Sequence, residues 1–210
     1  MAEIDRHVAD LLLSSKAIIL EPSNPFTWAS GWLSPIYCDN RVTLSYPETR
    51  DYIKEAFRTT IQKHFKSPDL IAGVATGAIA QGALVADIMN LPFVYVRPSA
   101  KEHGRQNLIE GRLQSGQKVV VVEDLISTGG SSLKAVEALR EAGAEVLGMV
   151  AIFSYGFELA ATNFREAGVE LHTLTDYHVL LETALSTAYI QLDQVEMLKQ
   201  WRKNPSQWKG

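Results

Sequence analysis

The chain has one cysteine, Cys38, in 210 residues. That excludes an intramolecular disulfide and any metal site built from several cysteines. No apolar run approaches the roughly 18 residues that a membrane span needs. The apolar N-terminal stretch Leu11-Leu12-Leu13 is preceded by Asp5, Arg6 and Asp10 and followed by Lys16, the marks of a short amphipathic helix and not of a signal peptide. Positive charge is not in surplus. The formal net charge is −4, which argues against a nucleic-acid binder that works through general electrostatics. The first 70 residues show no clear helix-turn-helix with a basic face. Two common phosphate motifs are also missing. The nearest match to a P-loop, Gly77 to Gly82, is followed by Ala83 and has no lysine. No G-x-G-x-x-G follows a strand, so a dinucleotide fold has no fingerprint. Repeats, low-complexity tracts and domain linkers are absent. With 46% hydrophobic and 21% charged residues, the expectation is one globular domain over 1–210, cytoplasmic, with no nucleic-acid or membrane partner.

What is present alternates between strand and helix patterns. Helices are predicted near 3–15, from Pro47 to Phe65, over Ala80–Met89, Ser132–Ala142, near 157–167, and from Thr183 to about Trp201. Strands are predicted at Ala17–Leu20, Leu70–Val74, Pro92–Arg97, Val119–Val122, Val146–Phe153 and Leu171–Leu174. Residues 21 to 50 form a decorated region with strand-like pieces near Phe26–Trp28 and Ile36–Tyr37. This alternation implies an α/β fold with a mainly parallel sheet and right-handed crossovers.

The richest stretch runs from Val119 to Ser132. Four consecutive valines suit a strand buried on both faces. The pattern breaks at Glu123-Asp124, passes through Leu125, Ile126, Ser127, Thr128, Gly129, Gly130 and Ser131, and enters a helix at Ser132 with Leu133, Val136 and Leu139 on one face. Gly143 stops that helix. Ligands of open α/β sheets bind at such strand–loop–helix joints. The glycines permit close backbone approach and positive φ. The helix start attracts an anion such as a phosphate. Thr128, Ser131 and Ser132 add hydroxyl donors, and the two carboxylates can accept hydrogen bonds from paired sugar hydroxyls. Together these groups suit a phosphorylated sugar.

Two further segments join the argument. Ala75-Thr76-Gly77-Ala78 is a second strand-to-helix turn, with free N–H groups at the helix start. Residues 98–112 are polar and aperiodic, and Lys101, His103, Arg105 and Arg112 concentrate positive charge there, with Arg97 at the base. A basic lid of this kind can neutralise an anionic leaving group and exclude water together.

The Val119–Ser132 string resembles the phosphoribosyl-diphosphate-binding motif of the type I phosphoribosyltransferases: an apolar strand, two acidic residues, then a Thr/Gly/Ser loop. Phe26-Thr27-Trp28-Ala29-Ser30-Gly31 with Ser34-Pro35, Tyr95-Val96-Arg97, Lys101-Glu102-His103-Gly104 and Leu174-Thr175-Asp176-Tyr177 narrow the resemblance to the orotate phosphoribosyltransferase family. The likeness spans about residues 20 to 180. It implies a mainly parallel central sheet flanked by helices, a small N-terminal hood over about 17–45 and a mobile lid over about 98–112. It also implies transfer of ribose 5-phosphate from 5-phospho-α-D-ribose 1-diphosphate to orotate, Mg2+ held mainly through the substrate and not by direct protein ligands, and a homodimer whose subunits share lids.

Carried over residue by residue, the resemblance assigns catalysis to Lys101 and His103. It places the sugar diphosphate against Arg97, Lys101, His103, Thr76, Gly77 and Glu123 to Ser131, and the base against Ser127, Tyr37, Cys38 and Phe26. Three departures stand out. Ala29 replaces a lysine of many relatives, Pro98 replaces a second basic residue, and Ser154-Tyr155-Gly156 lie where some relatives have an arginine for orotate. Arg41, or backbone N–H groups near Tyr37 and Cys38, are the candidates for meeting the orotate carboxylate. A purine phosphoribosyltransferase would share the main motif but lack the Phe26-to-Pro35 pattern. A phosphoribosyl-diphosphate-sensing regulator would need a nucleic-acid-binding element.

Overall fold

The computed structural model describes residues 3–27, 31, 33–99 and 108–208. Among these are seven α-helices, one 3₁₀ helix and ten strands. Helix α1 (Ile4–Ser14) leads into a small N-terminal unit. There β1 (Ile18–Leu20) pairs antiparallel with β4 (Ile36–Cys38), and β2 (Phe26–Thr27) pairs with β3 (Leu33–Ser34). A 3₁₀ helix, Asn40–Ser45, follows, which the sequence pattern did not signal. Then come α2 (Pro47–His64), β5 (Leu70–Val74), α3 (Ile79–Met89), β6 (Phe93–Val96), β7 (Ile109–Glu110), β8 (Lys118–Ile126), α4 (Gly130–Glu141), β9 (Glu145–Ser154), α5 (Glu158–Glu166), β10 (Leu171–Asp176), α6 (Tyr177–Ser186) and α7 (Leu192–Lys203).

The central sheet has the order β10-β9-β8-β5-β6-β7, and only β7 runs antiparallel to its neighbour. The valine run of β8 explains the layering. Val119, Val120, Val121 and Val122 are all fully buried. Successive side chains of a strand point to opposite faces. Val120 and Val122 therefore join one core with α1, α2, α3, α6 and α7, while Val119 and Val121 join the other with α4 and α5. Each such valine contributes about 1.5–3 kcal/mol by leaving water.

Three expectations are corrected. Strand β8 runs past Val122 to Ile126, because Glu123, Leu125 and Ile126 keep their pairing with β9. The 98–112 segment is not wholly irregular, since its described residues include β7, paired with β6 through Tyr95–Glu110 and Val96–Ile109. The C-terminal helical region starts earlier than Thr183, at Tyr177, and holds two helices. Ala188 turns left-handed at φ +57°, and Gln191 and Gln194 then form a capping box that starts α7.

Candidate active site

The chain leaves β5 towards β6 on one side of the sheet and leaves β8 towards β9 on the other. The strand order thus reverses between β5 and β8, and the crevice outside their carboxyl ends is where open α/β sheets bind ligands. The two glycine-bearing turns meet there. They line a cavity of about 430 Å3 that takes Ala75, Thr76 and Gly77 from one side and Glu123 to Leu125 and Ser127 to Ser132 from the other. Cys38, Asp39 and Arg41 close its rim.

The two carboxylates do not face the cavity alike, because β8 is still a strand where they sit. Glu123 continues the odd face towards α4 and is only 4% exposed. Its Oε2 accepts from Ser132 Oγ at 2.7 Å and its Oε1 from the Asp124 N–H at 3.0 Å. Burial, and then the neighbouring Asp124 charge, push its carboxyl well above the usual range. Asp124 takes the even face and is half-buried. Its carboxylate lies so close to Gly77 that a β-carbon at residue 77 would collide with it. Glycine at this turn therefore leaves the Asp124 carboxylate the position it occupies. The Ala75–Thr76 peptide is cis.

At the other wall, Gly129 is the N-cap of α4 in the left-handed region at φ +82°, and no side chain caps the helix. The first α4 N–H groups are therefore free to meet an anion. Thr128, Gly130 and Ser131 are exposed at this mouth. Ile126 faces the other way. Its side chain is fully buried, and only its backbone belongs to the hinge.

In the small N-terminal unit, Phe26 and Tyr37 pack ring against ring with centroids 5.6 Å apart, and Tyr37 is 42% exposed. Cys38 follows on the same strand. Burial, then the Asp124 and Asp39 carboxylates, push its thiol well up, so it stays protonated and unreactive at neutral pH. Arg41 grips Asp39 through Nε at 2.7 Å and a second guanidinium nitrogen at 2.9 Å. Arg97 closes the end of β6 with its guanidinium 3.6 Å from Glu110 on β7, and it is not among the residues lining the cavity. Arg112 is exposed. Lys101, His103 and Arg105, and with them Trp28, Ala29 and Ser30, lie outside the described residues.

A larger hollow of about 1070 Å3 opens beyond Ser127 and Thr128 between α5, α6 and α7. Its lining mixes leucines with charges of both signs and includes neither Asp124 nor the Thr76–Gly77 turn, so the smaller cavity is the better site. Among the described residues, one group of metal-type ligands, His64, Glu170 and His172, sits at the opposite end of the sheet. Its rings stack at 3.6 Å and His172 Nε2 is 2.6 Å from Glu170. One ligand atom from each of the three lies within 4.8 Å of the others, and His172 is already paired with Glu170. Burial, and then the neighbouring His172, lower the His64 pKa.

Comparison with known proteins agrees with this geometry. The phosphoribosyl transferase domain model matches residues 45–173. The orotate phosphoribosyltransferase of Porphyromonas gingivalis is 59% identical over 99% of this chain and 99% of its own length. That of Cytophaga hutchinsonii is 57% identical over 97% of this chain and 98% of its own. The chain belongs to the orotate phosphoribosyltransferase family. A crystal structure of the orotate phosphoribosyltransferase from Aeropyrum pernix superposes with a TM-score of 0.76 at 28% identity, covering 88% of this chain and 99% of that one.

Some segments that carry the likeness to orotate phosphoribosyltransferases are structural here. Ser34 is fully buried and donates to the Ile36 carbonyl at 2.9 Å. Asp176 caps α6 by accepting from the His178 and Val179 N–H groups. Tyr177 is buried and donates to the Leu198 carbonyl at 3.0 Å, tying α6 to α7. At Tyr155-Gly156, one of the family's points of departure, Arg202 of α7 donates to both carbonyls, at 2.9 and 2.6 Å. Sequence reasoning missed Asn40, whose buried amide donates to the Asp124 carbonyl at 2.6 Å. An asparagine in a loop-rich stretch gives no sign of which way it turns.

Proposed function

We propose that the protein transfers the ribose 5-phosphate of 5-phospho-α-D-ribose 1-diphosphate to orotate, forming orotidine 5′-phosphate and diphosphate in pyrimidine nucleotide synthesis. The C1′–oxygen bond to diphosphate breaks, a C1′–nitrogen bond to the base forms, and the base nitrogen gives up its proton. The observation that carries this reading is the convergence of Asp124, the Thr76–Gly77 turn and the uncapped start of α4 on one cavity.

In this reading the 5′-phosphate takes the free N–H groups of α4, with Thr128 and Ser131 beside them. Asp124 accepts from the ribose diol. Glu123, held by Ser132 and the Asp124 N–H, keeps the hinge in place beside the ribose. The diphosphate lies along Thr76 and Gly77. Phe26, Tyr37, Cys38 and Ser127 enclose the base. Arg97, Lys101 and His103 supply the cationic lid, with catalysis assigned to Lys101 and His103. The lid answers a chemical need: the ribosyl transition state resembles an oxocarbenium ion that water would capture.

The donor set fits Mg2+ held mainly by substrate. Asp124 offers a hard oxygen at the cavity, while the Glu123 oxygens are taken by Ser132 and a backbone N–H. Mg2+ suits a site with one or two carboxylates plus phosphate oxygens and water. When bound, it neutralises charge on the diphosphate. The same reading makes the protein a cytoplasmic homodimer whose subunits share lids. What the structure adds to the membrane question is that no helix among the described residues is long and apolar enough to cross a membrane.

The test is the reaction itself, run with purified protein, the sugar diphosphate, Mg2+ and either orotate or a purine base. Orotate-dependent product and no purine product are expected. Turnover of adenine or xanthine but not orotate would overturn the substrate assignment.

A further inference from the structure

The 3₁₀ helix at Asn40–Ser45 stands outside the chemistry just described, yet it carries a buried polar chain that ends at the site. Asn40, Thr43 and Gln81 are each at most 1% exposed. Gln81 Nε2 on α3 donates to Thr43 Oγ1 at 3.2 Å, and Thr43 Oγ1 donates to the Asn40 carbonyl at 2.6 Å. Asn40 Nδ2 in turn donates to the Asp124 carbonyl at 2.6 Å, across 84 residues of chain. Its Oδ1 faces Cys38 Sγ at 3.6 Å.

Strand pairing explains the need for this bond. Strand β5 pairs with β8 only as far as Gly73–Val122, whereas β9 accompanies β8 to Ile126–Ser154. Past Val122, β8 has lost one of its two neighbours at the point where the ligand crevice opens. Buried backbone carbonyls require donors. At Asp124 the donor is a side-chain amide from the segment that directly follows β4, the strand that carries Tyr37 and Cys38.

We propose that Asn40 is a positioning residue: through the Asp124 carbonyl it holds the ribose-binding carboxylate at a fixed spacing from the strand that caps the base. This rests on the reading of Asp124 as the ribose ligand. A neutral amide is the suitable group. Asp39, Asp124, Glu123 and the Cys38 thiol already surround this point, Arg41 is spent on Asp39, and a further carboxylate would both lose the donor and repel the carbonyl.

The test uses the full chain and three variants, Asn40→Ala, Asn40→Asp and Asp124→Asn, with KM for the sugar diphosphate and kcat measured against pH and thermal stability measured in parallel. Asn40→Ala should raise KM for the sugar diphosphate by about tenfold at every pH, the kinetic equivalent of one buried hydrogen bond. Asn40→Asp should match it at high pH, where the carboxylate cannot donate. Its KM relative to wild type should fall back at low pH, where the protonated acid donates to the carbonyl again. A purely structural role would lower the melting temperature of both variants while leaving KM and its pH profile at wild-type values, and that result overturns the proposal. Should Asn40→Ala fail to fold, the pH-dependent recovery of Asn40→Asp decides alone. If Asp124→Asn raises KM and the Asn40 variants do not, the positioning role fails by itself. If Asp124→Asn leaves KM unchanged, the ribose reading fails and takes the positioning role with it.

Discussion

Replacing Gly77 by alanine puts a methyl group where the Asp124 carboxylate now lies. The Asp124 carboxyl carbon is 2.5 Å and its Oδ1 2.6 Å from that methyl position, and ordinary contact begins at 3.4 Å. Oδ2 is closer still, so the carboxylate has to retreat by more than the 0.9 Å that separates 2.5 from 3.4 Å. Only the end of a half-buried side chain needs to move, so the packing cost stays near the low end of overpacking, about 1 kcal/mol. Gly77 is not in the left-handed region, so alanine also removes unfolded-chain entropy worth about 0.4–1 kcal/mol. The two effects nearly cancel, and the melting temperature should stay within about 4 °C of wild type, the span that ~1 kcal/mol covers in a chain of this size. Function is less forgiving. A misplacement of about 1 Å at a binding group costs on the order of a hundredfold in rate. The assay is kcat/KM for the sugar diphosphate beside a thermal melt. A folded Gly77→Ala protein with unchanged kcat/KM would refute the claim that turnover depends on where the Asp124 carboxylate sits.

Three further outcomes follow from the same geometry. The folded pKa of Glu123 is raised, so its proton is held more tightly in the folded state; stability is fully present below the unfolded value of 4.5 and is lost as pH rises towards the folded value. Glu123→Gln cannot titrate, so its melting temperature should gain on wild type as pH climbs above 4.5, and parallel melting curves across pH would contradict this. Gly129→Ala meets the left-handed penalty of about 1–2 kcal/mol and also drives its β-carbon to 2.6 Å from the Phe164 ring; thermal melts should show clear destabilisation, with weaker binding of the sugar diphosphate by calorimetry. Tyr177→Phe removes a buried hydrogen bond to the Leu198 carbonyl and should cost about 1–2 kcal/mol, measured by urea unfolding, with turnover unchanged.

The fold was legible where side-chain period and burial coincide. The four valines of β8, the Leu70–Val74 run and the Leu133–Val136–Leu139 face each announce their element, because the same apolar positions that set the period also fill the two cores. Boundaries set by pairing were harder to see. Nothing in Glu123-Asp124 says that β9 will hold them in strand conformation, yet that extension sends the two acids to opposite faces. The break between α6 and α7 turns on the left-handed Ala188, a residue type that does not advertise such a conformation. In the site, the glycines and hydroxyls of the hinge were readable from composition and order. Asn40 was not, because its role is fixed by β5 ending early, a fact of topology that no local pattern carries.

The most direct test of the account is a crystal structure of the protein with 5-phospho-α-D-ribose 1-diphosphate bound. The account places the 5′-phosphate on the N–H groups at the start of α4, the ribose hydroxyls on Asp124 and the diphosphate along Thr76–Gly77. Density for the sugar diphosphate anywhere other than the crevice between β5 and β8, under conditions where the protein turns it over, would contradict it.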